Sequence, residues 1–460
     1  MIHRRSIWSS CLLLVFPLCQ GQTNLFKGFK KNGKEGLIDD VPTAKLSNNQ
    51  KIPLVGLGVG NLQANLVEDM IYQGLKADHK IRLIDTAHAS YNEDKVAKGI
   101  VAGVQRFKNS EKLEGKVQVH VVTKVWYTHL GYGRTKLSVH ESLEALKPAI
   151  MDENVDLKVH FLIHWPRCYQ GIPWMKCDEE ERMLPQNVKD AGPPPHDDRD
   201  NAWKQTWKAL EDIYNSNDYP VIAGIGVSNF SDDDLDELMN IAKVKPHIMQ
   251  MNVWSLLNDP HLVDMCNKND VHMQVFNVMN GIVNRASVAP HAHHHMLMVA
   301  NDITKNELPA DAPTVSGSEV VLKWLIQFGI SIIPRTSNLD RLSENSAVSL
   351  ARIPDLTENH MEVVAHAMEA LLSGDDMEED VNVKVTFHAK NQDMFLYWFQ
   401  GAQGAEKEKQ ISYIGMGESF EEKTHPRHTF RIYNAYDPDI FHDHTVQGDY
   451  GDHEQVHVEL

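Results

Sequence analysis

The order of strands and helices is the feature that most constrains this fold. Apolar stretches of strand length alternate with helical patterns, a spacing that implies a parallel sheet with helices packed against it. The predicted strands are 81–85, 117–123, 155–163, 221–227, 247–250, 271–278 and 330–333. A predicted hairpin at 44–60 precedes them, which makes about eight strand–helix units. We therefore predict an α/β fold of the (β/α)8 TIM barrel class.

Polar side chains stand at or just after the ends of these apolar strands. They are Asp85, Lys124, His164, Ser228, Asn229, Gln250 and Arg335. A closed barrel brings the carboxyl ends of all its strands to one rim, where barrel enzymes gather their catalytic side chains. We therefore expect these residues to meet around one site.

The stretch IDTAHASYNE, residues 84–93, contains two candidates in a short space. It begins as a strand and ends at the helix-starting pair Asn92–Glu93. A carboxylate, Asp85, stands at the strand end, and a phenol, Tyr91, lies in the loop that follows. Such residues more often cap a helix or pack against neighbours, so this stretch favours catalysis only together with the other strand ends.

Six stretches, in this order, resemble the aldo-keto reductases: KIPLVGLG, LIDTAHASYNE, VVTKVW, LIHWP, GIGVSNF and IIPRTSNLDRLSEN. The similarity covers about residues 44–350, within a predicted barrel domain of residues 22–373. The resemblance implies an eight-stranded barrel that reduces an aldehyde or ketone to an alcohol. It also implies NADPH/NADP as the cofactor and a small-molecule carbonyl compound as the substrate.

The resemblance further implies a catalytic set, which consists of Asp85, Tyr91, Lys124 and His164. Negative charge develops on the carbonyl oxygen during reduction, and a phenol would deliver a proton there. The Lys124 ammonium would lower the pKa of that phenol, and Asp85 would hold the lysine charged and oriented. His164 would donate a hydrogen bond to the developing oxyanion. Two alternatives stay open, an Asp85–Lys124 pair that only stabilises the barrel and a purely structural His164.

The tyrosine departs from the family pattern. The family has it five residues after the aspartate, whereas here that position holds Ser90 and Tyr91 follows one place later. The spacing from Asp85 to Asn92 is unchanged, so no residue has been inserted. Either the loop bends to aim Tyr91 inwards, or Ser90 occupies the place of the acid. An aliphatic hydroxyl is a poor proton donor at neutral pH.

The resemblance implies a cofactor site made of Ser228, Asn229, Gln250, Arg335, Thr336, Arg341, Glu344 and Asn345. Ser228 and Asn229 match the pair that holds the nicotinamide amide, and Gln250 matches the residue beside it. The two guanidiniums and the Thr336 hydroxyl suit the adenosine 2′-phosphate, and Glu344 with Asn345 would face the adenine amino group. The alternative is an ordinary helix start with an Arg341–Glu344 pair. Departures from the family at 60–61, 251–254 and 277–280 are expected to alter cofactor affinity or pocket shape.

Two long insertions interrupt the barrel. Residues 167–202 follow the fourth strand, where the family has its substrate loop, and their Cys168 and Cys177 can close a short loop in an oxidising compartment. Residues 283–312 carry His291, His293, His294 and His295. Histidines are good metal ligands. This pattern is nevertheless too short for a helix face and has no acidic or cysteine partners nearby, so we predict a mobile polar loop and no metal site.

The sequence changes character after a last predicted helix at 357–373. The acidic run 374–380 indicates a linker, and an alternating strand pattern follows it. We predict a small all-β antiparallel sandwich at 381–437 and a disordered tail at 438–460.

This second domain resembles the von Hippel–Lindau β domain over residues 381–436. The resemblance is carried by FHAKN, by Tyr397–Trp398, by GESF at 417–420 and by HTFR at 428–431. It implies recognition of a hydroxyproline peptide through His428, Phe430 and Thr424. Because the match is partial, a general module that binds a peptide or protein partner is the favoured expectation.

Both ends of the chain carry addressing patterns. Residues 1–21 have the parts of a secretory signal peptide, and we expect no membrane span. The last four residues, HVEL, partly match the retrieval signal of the endoplasmic reticulum, so retention in its lumen and secretion are alternatives. The 45 basic and 63 acidic residues give a net charge of −18, which argues against a nucleic-acid partner.

Two functions are compatible with these patterns. The favoured one is an NADPH-dependent carbonyl reductase with an appended protein-binding domain. The alternative is a catalytically impaired nucleotide-binding scaffold of the secretory pathway. Both predict NADPH binding, and they differ in whether the cofactor is turned over.

Overall fold

The computed structural model describes residues 37–38, 41–216, 218–374, 383–400, 407–424, 429–447 and 453–459. The predicted signal peptide and nearly all of the predicted acidic linker lie outside these residues, so both stay predictions. Among the described residues, no helix is long and apolar enough to cross a membrane.

The first part of the chain is a barrel of parallel strands. Three short strands come first, β1 (Leu37–Ile38), β2 (Val41–Lys45) and β3 (Lys51–Pro53). The barrel strands are β4 (Leu57–Gly58), β5 (Leu83–Asp85), β6 (Val117–Val125), β7 (Val155–Ile163), β8 (Ile222–Ser228), β9 (Ile248–Asn252), β10 (His272–Phe276) and β11 (Ser331–Ile332). Each pairs with the next in chain order. The ring closes because Gly56 N donates to Ile332 O at 2.9 Å and Ile332 N donates to Leu54 O at 2.8 Å. The predicted (β/α)8 barrel is confirmed.

The predicted hairpin in front of the barrel is formed by β2 and β3, which pair antiparallel. Its turn has Asn49 in the left-handed region at φ 67°, a conformation that asparagine tolerates better than most residues. The neighbouring Asn48 side chain donates to the carbonyl oxygen of Ala223 at 2.8 Å. Ala223 lies at the start of β8, so the hairpin covers the amino end of the barrel and leaves the carboxyl end open.

Helices follow the strands and cover the outside of the sheet. They are α1 (Ala64–Gly74), α2 (Glu93–Glu111), α3 (Tyr132–Ile150), α4 (Cys177–Met183), α5 (Gln186–Asp190), α6 (Ala202–Tyr214), α7 (Asp232–Ile241), α8 (Val253–Leu257), α9 (Pro260–Lys268), α10 (Val278–Arg285), α11 (Pro290–Asp302), α12 (Gly317–Gln327), α13 (Leu339–Glu344), α14 (Ala347–Arg352) and α15 (Glu358–Ser373). Helix α6 shows the reason for the pattern, because Trp203, Trp207 and Leu210 recur at helical spacing and are all buried.

The two insertions contain helices. Helices α4 and α5 lie in residues 167–202, where Cys168 and Cys177 form a disulfide. The predicted mobile loop at 283–312 is wrong, because most of it is helical, and its histidines lie on α11. Pro290 suits the first turn of a helix, and Ala292, Met296 and Val299 are buried at helical spacing. The run of histidines between these apolar residues obscured that pattern in the sequence.

The C-terminal part of the chain forms two packed sheets. Its strands are β12 (Val383–Ala389), β13 (Met394–Gln400), β14 (Lys407–Ile414), β15 (Ser419–Thr424), β16 (Thr429–Asn434), β17 (Phe441–Thr445) and β18 (His453–Val458). The sheet orders are β15-β12-β18 and β14-β13-β16-β17. Phe387 of one sheet packs on Phe430 of the other, with ring centroids 5.2 Å apart. The predicted antiparallel β domain is confirmed, apart from one parallel pairing between β12 and β18.

The tail from 438 is not disordered throughout, which corrects the sequence prediction. Strand β17 pairs with β16, where the Arg431 guanidinium donates to Asp443 at 2.7 Å. Strand β18 pairs parallel with β12 and buries Val456 and Val458. The residues HVE of the possible retrieval signal are therefore part of, or adjacent to, a strand.

Two of the three positions matched to hydroxyproline recognition face the interior. Phe430 and Thr424 are buried, and His428 lies outside the described residues. The expected binding face is therefore not formed by these two side chains. The broader expectation of a module that binds a peptide or protein stays a prediction.

Four buried histidines lie together within the barrel sheet. His120 Nδ1 is 3.0 Å from His160 Nε2, and His247 and His272 lie near the same pair. A Cβ on Gly224 would come within 2.9 Å of His160 Nδ1, so only glycine fits beside the cluster. Burial lowers the pKa of all four rings, to about 3 for His120 and about 4 for His272. The rings are therefore neutral in the folded protein.

We predict that these rings make the barrel sensitive to mild acid. Their folded pKa values lie below the unfolded value of about 6.5, so the stability they contribute is complete above pH 6.5 and is lost as the pH falls. Between pH 6.5 and 5.5, His272 alone should account for a loss of about 1 kcal/mol in the free energy of unfolding. Urea unfolding at both pH values should show that the wild type loses about 1 kcal/mol more of its free energy of unfolding between them than His272→Gln does. The exposed His140→Gln is the control, and equal pH dependence in both variants would contradict the prediction.

Candidate active site

A buried ion pair lies at the carboxyl ends of β5 and β6. Lys124 Nζ donates to both carboxylate oxygens of Asp85 at 2.5 Å and to the carbonyl oxygen of Thr86 at 2.6 Å. Burial raises the pKa of the Asp85 carboxyl and lowers the pKa of the Lys124 ammonium, and the attraction between the two opposes both shifts. All three ammonium hydrogens have acceptors, so Lys124 is held in one orientation.

Two glutamines extend this pair across the barrel. Gln250 Nε2 donates to Asp85 Oδ1 at 3.1 Å and to Gln274 Oε1 at 2.6 Å. The Gln250 side chain therefore supports the ion pair, whereas the resemblance implied that it belongs to the cofactor site. Gln274 is fully buried in β10 and was missed by the sequence analysis. Its inward position in the alternation HMQVF was the available signal.

His164 follows β7 and lies beside the ion pair. Burial, together with the Lys124 charge, holds the pKa of His164 well below its usual range, so the ring is neutral at pH 7. Within the described part of the chain neither ring nitrogen has a hydrogen-bond partner, and Nδ1 is fully buried. A neutral imidazole has one N–H to donate. This ring is therefore able to bind an oxygen atom placed at the open carboxyl end of the barrel, which we call the mouth.

Ser228 and Asn229 lie next to His164 at the end of β8. Asn229 Nδ2 donates to the His164 carbonyl oxygen at 3.0 Å and to Ser228 Oγ at 3.1 Å. Asn229 adopts φ 57°, a left-handed conformation that directs its side chain back over the strand ends. Both hydrogens of its amide are used within the chain, which leaves the amide oxygen as the group available to a ligand.

The remaining cofactor candidates lie after β11 and on α13. Arg335 and Arg341 are exposed, and neither forms an ion pair within the described residues. The Thr336 hydroxyl receives the Asn338 backbone N–H at 3.0 Å, which orders the loop before α13. Burial raises the pKa of Glu344, and no ion pair joins it to Arg341 among the described residues. Asn345 is buried at the end of α13.

Tyr91 is the catalytic candidate that the structure does not bring to the site. Its side chain is 80% exposed, and its backbone adopts the left-handed φ of 48° at the end of the turn 88–90. The backbone therefore turns the phenol outwards. Ser90, at the family position, is partly buried, and its Oγ lies 3.3 Å from a Cβ built on Gly60. The structure therefore does not support the alternative in which the loop aims Tyr91 inwards, and Ser90 is the less exposed of the two residues.

Aromatic side chains surround the mouth on the side of the disulfide loop. Trp126 packs edge-on against His164, with ring centroids 4.8 Å apart. Its indole N–H donates to Glu180 of the loop at 2.7 Å. Trp174, 54% exposed, lies 5.7 Å from Trp165 and 6.3 Å from Trp126. This wall, missed by the sequence analysis, offers apolar contact to a small ligand beside His164.

The family model of the aldo/keto reductases matches residues 58–365. The chain belongs to the aldo/keto reductase family. Within this family, the NADPH-dependent aldose reductase of Saccharomyces cerevisiae is 27% identical over 318 residues, which cover 65% of this chain and 86% of the yeast protein. The NAD(P)H-dependent D-xylose reductase of Candida tenuis is 27% identical over 340 residues, which cover 71% of this chain and 92% of that protein.

Solved structures of other family members agree in fold. The aldose reductase of Schistosoma japonicum has a TM-score of 0.52 at 20% identity and covers 73% of this chain and 97% of its own. A Bombyx mori aldo-keto reductase in complex with NADP has a TM-score of 0.50 at 20% identity and covers 71% of this chain and 92% of its own.

The residues of this family member fit a nicotinamide dinucleotide. His164 has no ring partner, the Asn229 amide oxygen is available, and the cationic side chains Arg335 and Arg341 have no acidic partner among the described residues. Guanidiniums without acidic partners are suited to a phosphate group.

We predict that Arg341 discriminates between the two dinucleotides. NADPH and NADH differ in the 2′-phosphate, so Arg341→Ala should weaken NADPH binding by about tenfold or more and leave NADH binding nearly unchanged. Dissociation constants from calorimetric titration check this. Arg106→Ala, an exposed arginine on α2, is the matched control. Equal losses for NADPH and NADH would remove the proposed phosphate contact.

Proposed function

We propose that this protein binds NADPH and reduces the carbonyl group of a small aldehyde or ketone. The observation that carries the proposal is the buried Asp85–Lys124 pair with the neutral His164 beside it, at the carboxyl ends of adjacent barrel strands. The relatives support it, because they include an NADPH-dependent aldose reductase and NAD(P)H-dependent xylose reductases.

The chain's own residues would orient the substrate and stabilise charge. A bound reduced nicotinamide would supply the hydride for the carbonyl carbon. His164 would donate its N–H to the carbonyl oxygen, on which negative charge develops. The Lys124 ammonium, fixed by Asp85, would stabilise that charge in a region of low dielectric. Trp126 would pack against the apolar part of the substrate and restrict the access of water.

The position of Tyr91 makes slow turnover the expected behaviour. The alkoxide needs a proton, and the phenol that would deliver it is exposed to solvent. Ser90 is a poor acid in its place, so the proton would come from water that reaches the mouth. General acid catalysis contributes typically 10²–10⁴-fold, and this contribution is missing.

The same observation favours a second candidate function. A barrel that keeps the dinucleotide site but has no phenol at the reacting oxygen would bind NADPH without turnover and act as a scaffold. The two candidates share every binding residue and differ only in the chemical step. Rapid-mixing measurements at saturating NADPH with a panel of aldehydes therefore decide between them.

We predict that Ser90→Tyr increases the rate of NADPH oxidation by about a hundredfold or more, because it returns a phenol to the position at which the family has its tyrosine. Tyr91→Phe should leave the rate unchanged, since the exposed hydroxyl takes no part. Both rates are read from the absorbance of the reduced nicotinamide. A large loss in Tyr91→Phe would show that Tyr91 is the acid in solution.

Lys124→Met is the negative control for this experiment. It should abolish turnover in the wild-type and Ser90→Tyr backgrounds while NADPH binding persists, with circular dichroism to verify folding. If turnover survived, the catalytic role of Lys124 would be wrong. If the traces of both the wild type and Ser90→Tyr stayed flat, the scaffold function would be favoured.

We also propose that the protein acts in the secretory pathway, either in the lumen of the endoplasmic reticulum or after secretion. The Cys168–Cys177 disulfide supports this location, because such bonds persist mainly in oxidising compartments. The signal-peptide pattern at residues 1–21 supports it independently.

A further inference from the structure

Two histidines and a glutamate from three separate elements converge beside the catalytic strands. His88 lies in the turn after β5, His129 in the turn 127–129 after β6, and Glu141 on α3. One possible ligand atom from each residue lies within 4.8 Å of those from the other two. His88 Nε2 is 2.9 Å from Glu141 Oε2, and the two imidazole rings meet edge-on at 4.7 Å.

We propose that His88, His129 and Glu141 form a binding site for a divalent transition-metal ion of the Zn²⁺ class. Imidazole nitrogen and carboxylate oxygen are donors that Zn²⁺ accepts, and bond lengths of about 2.0–2.2 Å require ligand atoms a few ångströms apart. Three protein ligands leave one tetrahedral position for water or another small ligand. The prediction of no metal site concerned the histidines at 291–295, whereas His88, His129 and Glu141 are far apart in the chain and form no local pattern.

The surroundings of the histidines suit ligation. The Thr128 hydroxyl lies 3.0 Å from His129 Nδ1, which orients the ring and leaves Nε2 for an ion. His88 Nδ1 is buried and has no hydrogen-bond partner within the described residues. Within the described residues, only the Nε2 atom of His88 is in a hydrogen bond. A rotation of the ring by half a turn would exchange the positions of Nδ1 and Nε2, so either nitrogen could bind the ion.

The charges around the site favour a cation. Glu93 is buried, accepts a hydrogen bond from Thr123 at 2.5 Å, and acts electrostatically on His88. Together with Glu141 it provides two acidic groups facing one imidazole. The nearby Arg134 would oppose a cation, but its guanidinium is paired with both carboxylate oxygens of Glu181 at 2.9 Å.

A bound ion would join the loop that carries Ser90 to the β6 loop and to α3. Since the ligands come from three elements, binding would stabilise the folded barrel by mass action. The competing account is a hydrogen-bonded His88–Glu141 pair with no affinity for metal. The two accounts differ in one measurable respect, which is whether metal affinity depends on Glu141.

Metal titration of the full-length protein tests the site. The chelator-treated protein, without nucleotide, is titrated with Zn²⁺ in competition with a colorimetric chelator and with Co²⁺ under absorption spectroscopy. The wild type should bind about one equivalent of Zn²⁺. Glu141→Gln should bind Zn²⁺ at least tenfold more weakly. Bound Co²⁺ should give the intense visible bands of tetrahedral coordination, and Zn²⁺ should raise the Tm of the wild type more than that of the variant.

Glu144→Gln is the matched control, because this carboxylate lies three residues further along α3 and is paired at the surface with Lys147. It should bind both metals like the wild type. His88→Gln provides a second ligand variant if Glu141→Gln fails to fold. Equal affinity and equal Co²⁺ spectra in the wild type and the ligand variants would overturn the proposal and assign any binding to other residues, such as the histidines of α11. Because nucleotide is absent, the outcome is independent of the reductase function.

Discussion

The buried pair of Lys124 and Asp85 is the interaction on which the rest of the site depends. Removing two charges from water costs several kcal/mol per ion unless each finds close partners. Here the partners are each other, the Thr86 carbonyl and the Gln250 amide, which come from three different strand ends or loops. Such a set of partners exists only in a closed barrel. The fold and the site are therefore coupled through one buried ion pair.

The barrel and most of the site could be predicted from the sequence because both follow short-range patterns. Apolar strands of regular spacing predict the parallel sheet, and the polar residue after each strand predicts the rim. His164, Ser228 and Asn229 meet there because neighbouring strands end at the same level. The role of Gln250 was harder to predict from the sequence, since its contact with Asp85 spans the barrel interior and no local pattern encodes it.

The wrong predictions from the sequence concern features that depend on contacts between distant parts of the chain or on backbone conformation. Strand β18 pairs with β12, some seventy residues earlier in the chain, so its mixed polar sequence resembled a disordered tail. Helix α11 buries a narrow apolar stripe hidden among histidines. The direction of Tyr91 is set by a left-handed backbone conformation that residue spacing alone does not reveal. A tyrosine that stands one residue later in the chain can therefore be absent from the family position, even though no residue has been inserted.

The central claim is that the strand-end residues form one dinucleotide site, and NADPH titration followed by tryptophan fluorescence tests it most directly. Trp126 lies beside His164, so a bound nicotinamide should quench the emission and receive energy from the indole. The account predicts saturable quenching with a midpoint below about 1 mM, the upper end of ordinary enzyme affinities. An emission spectrum that shows no saturable change up to that concentration, from protein that is folded by circular dichroism, would contradict it.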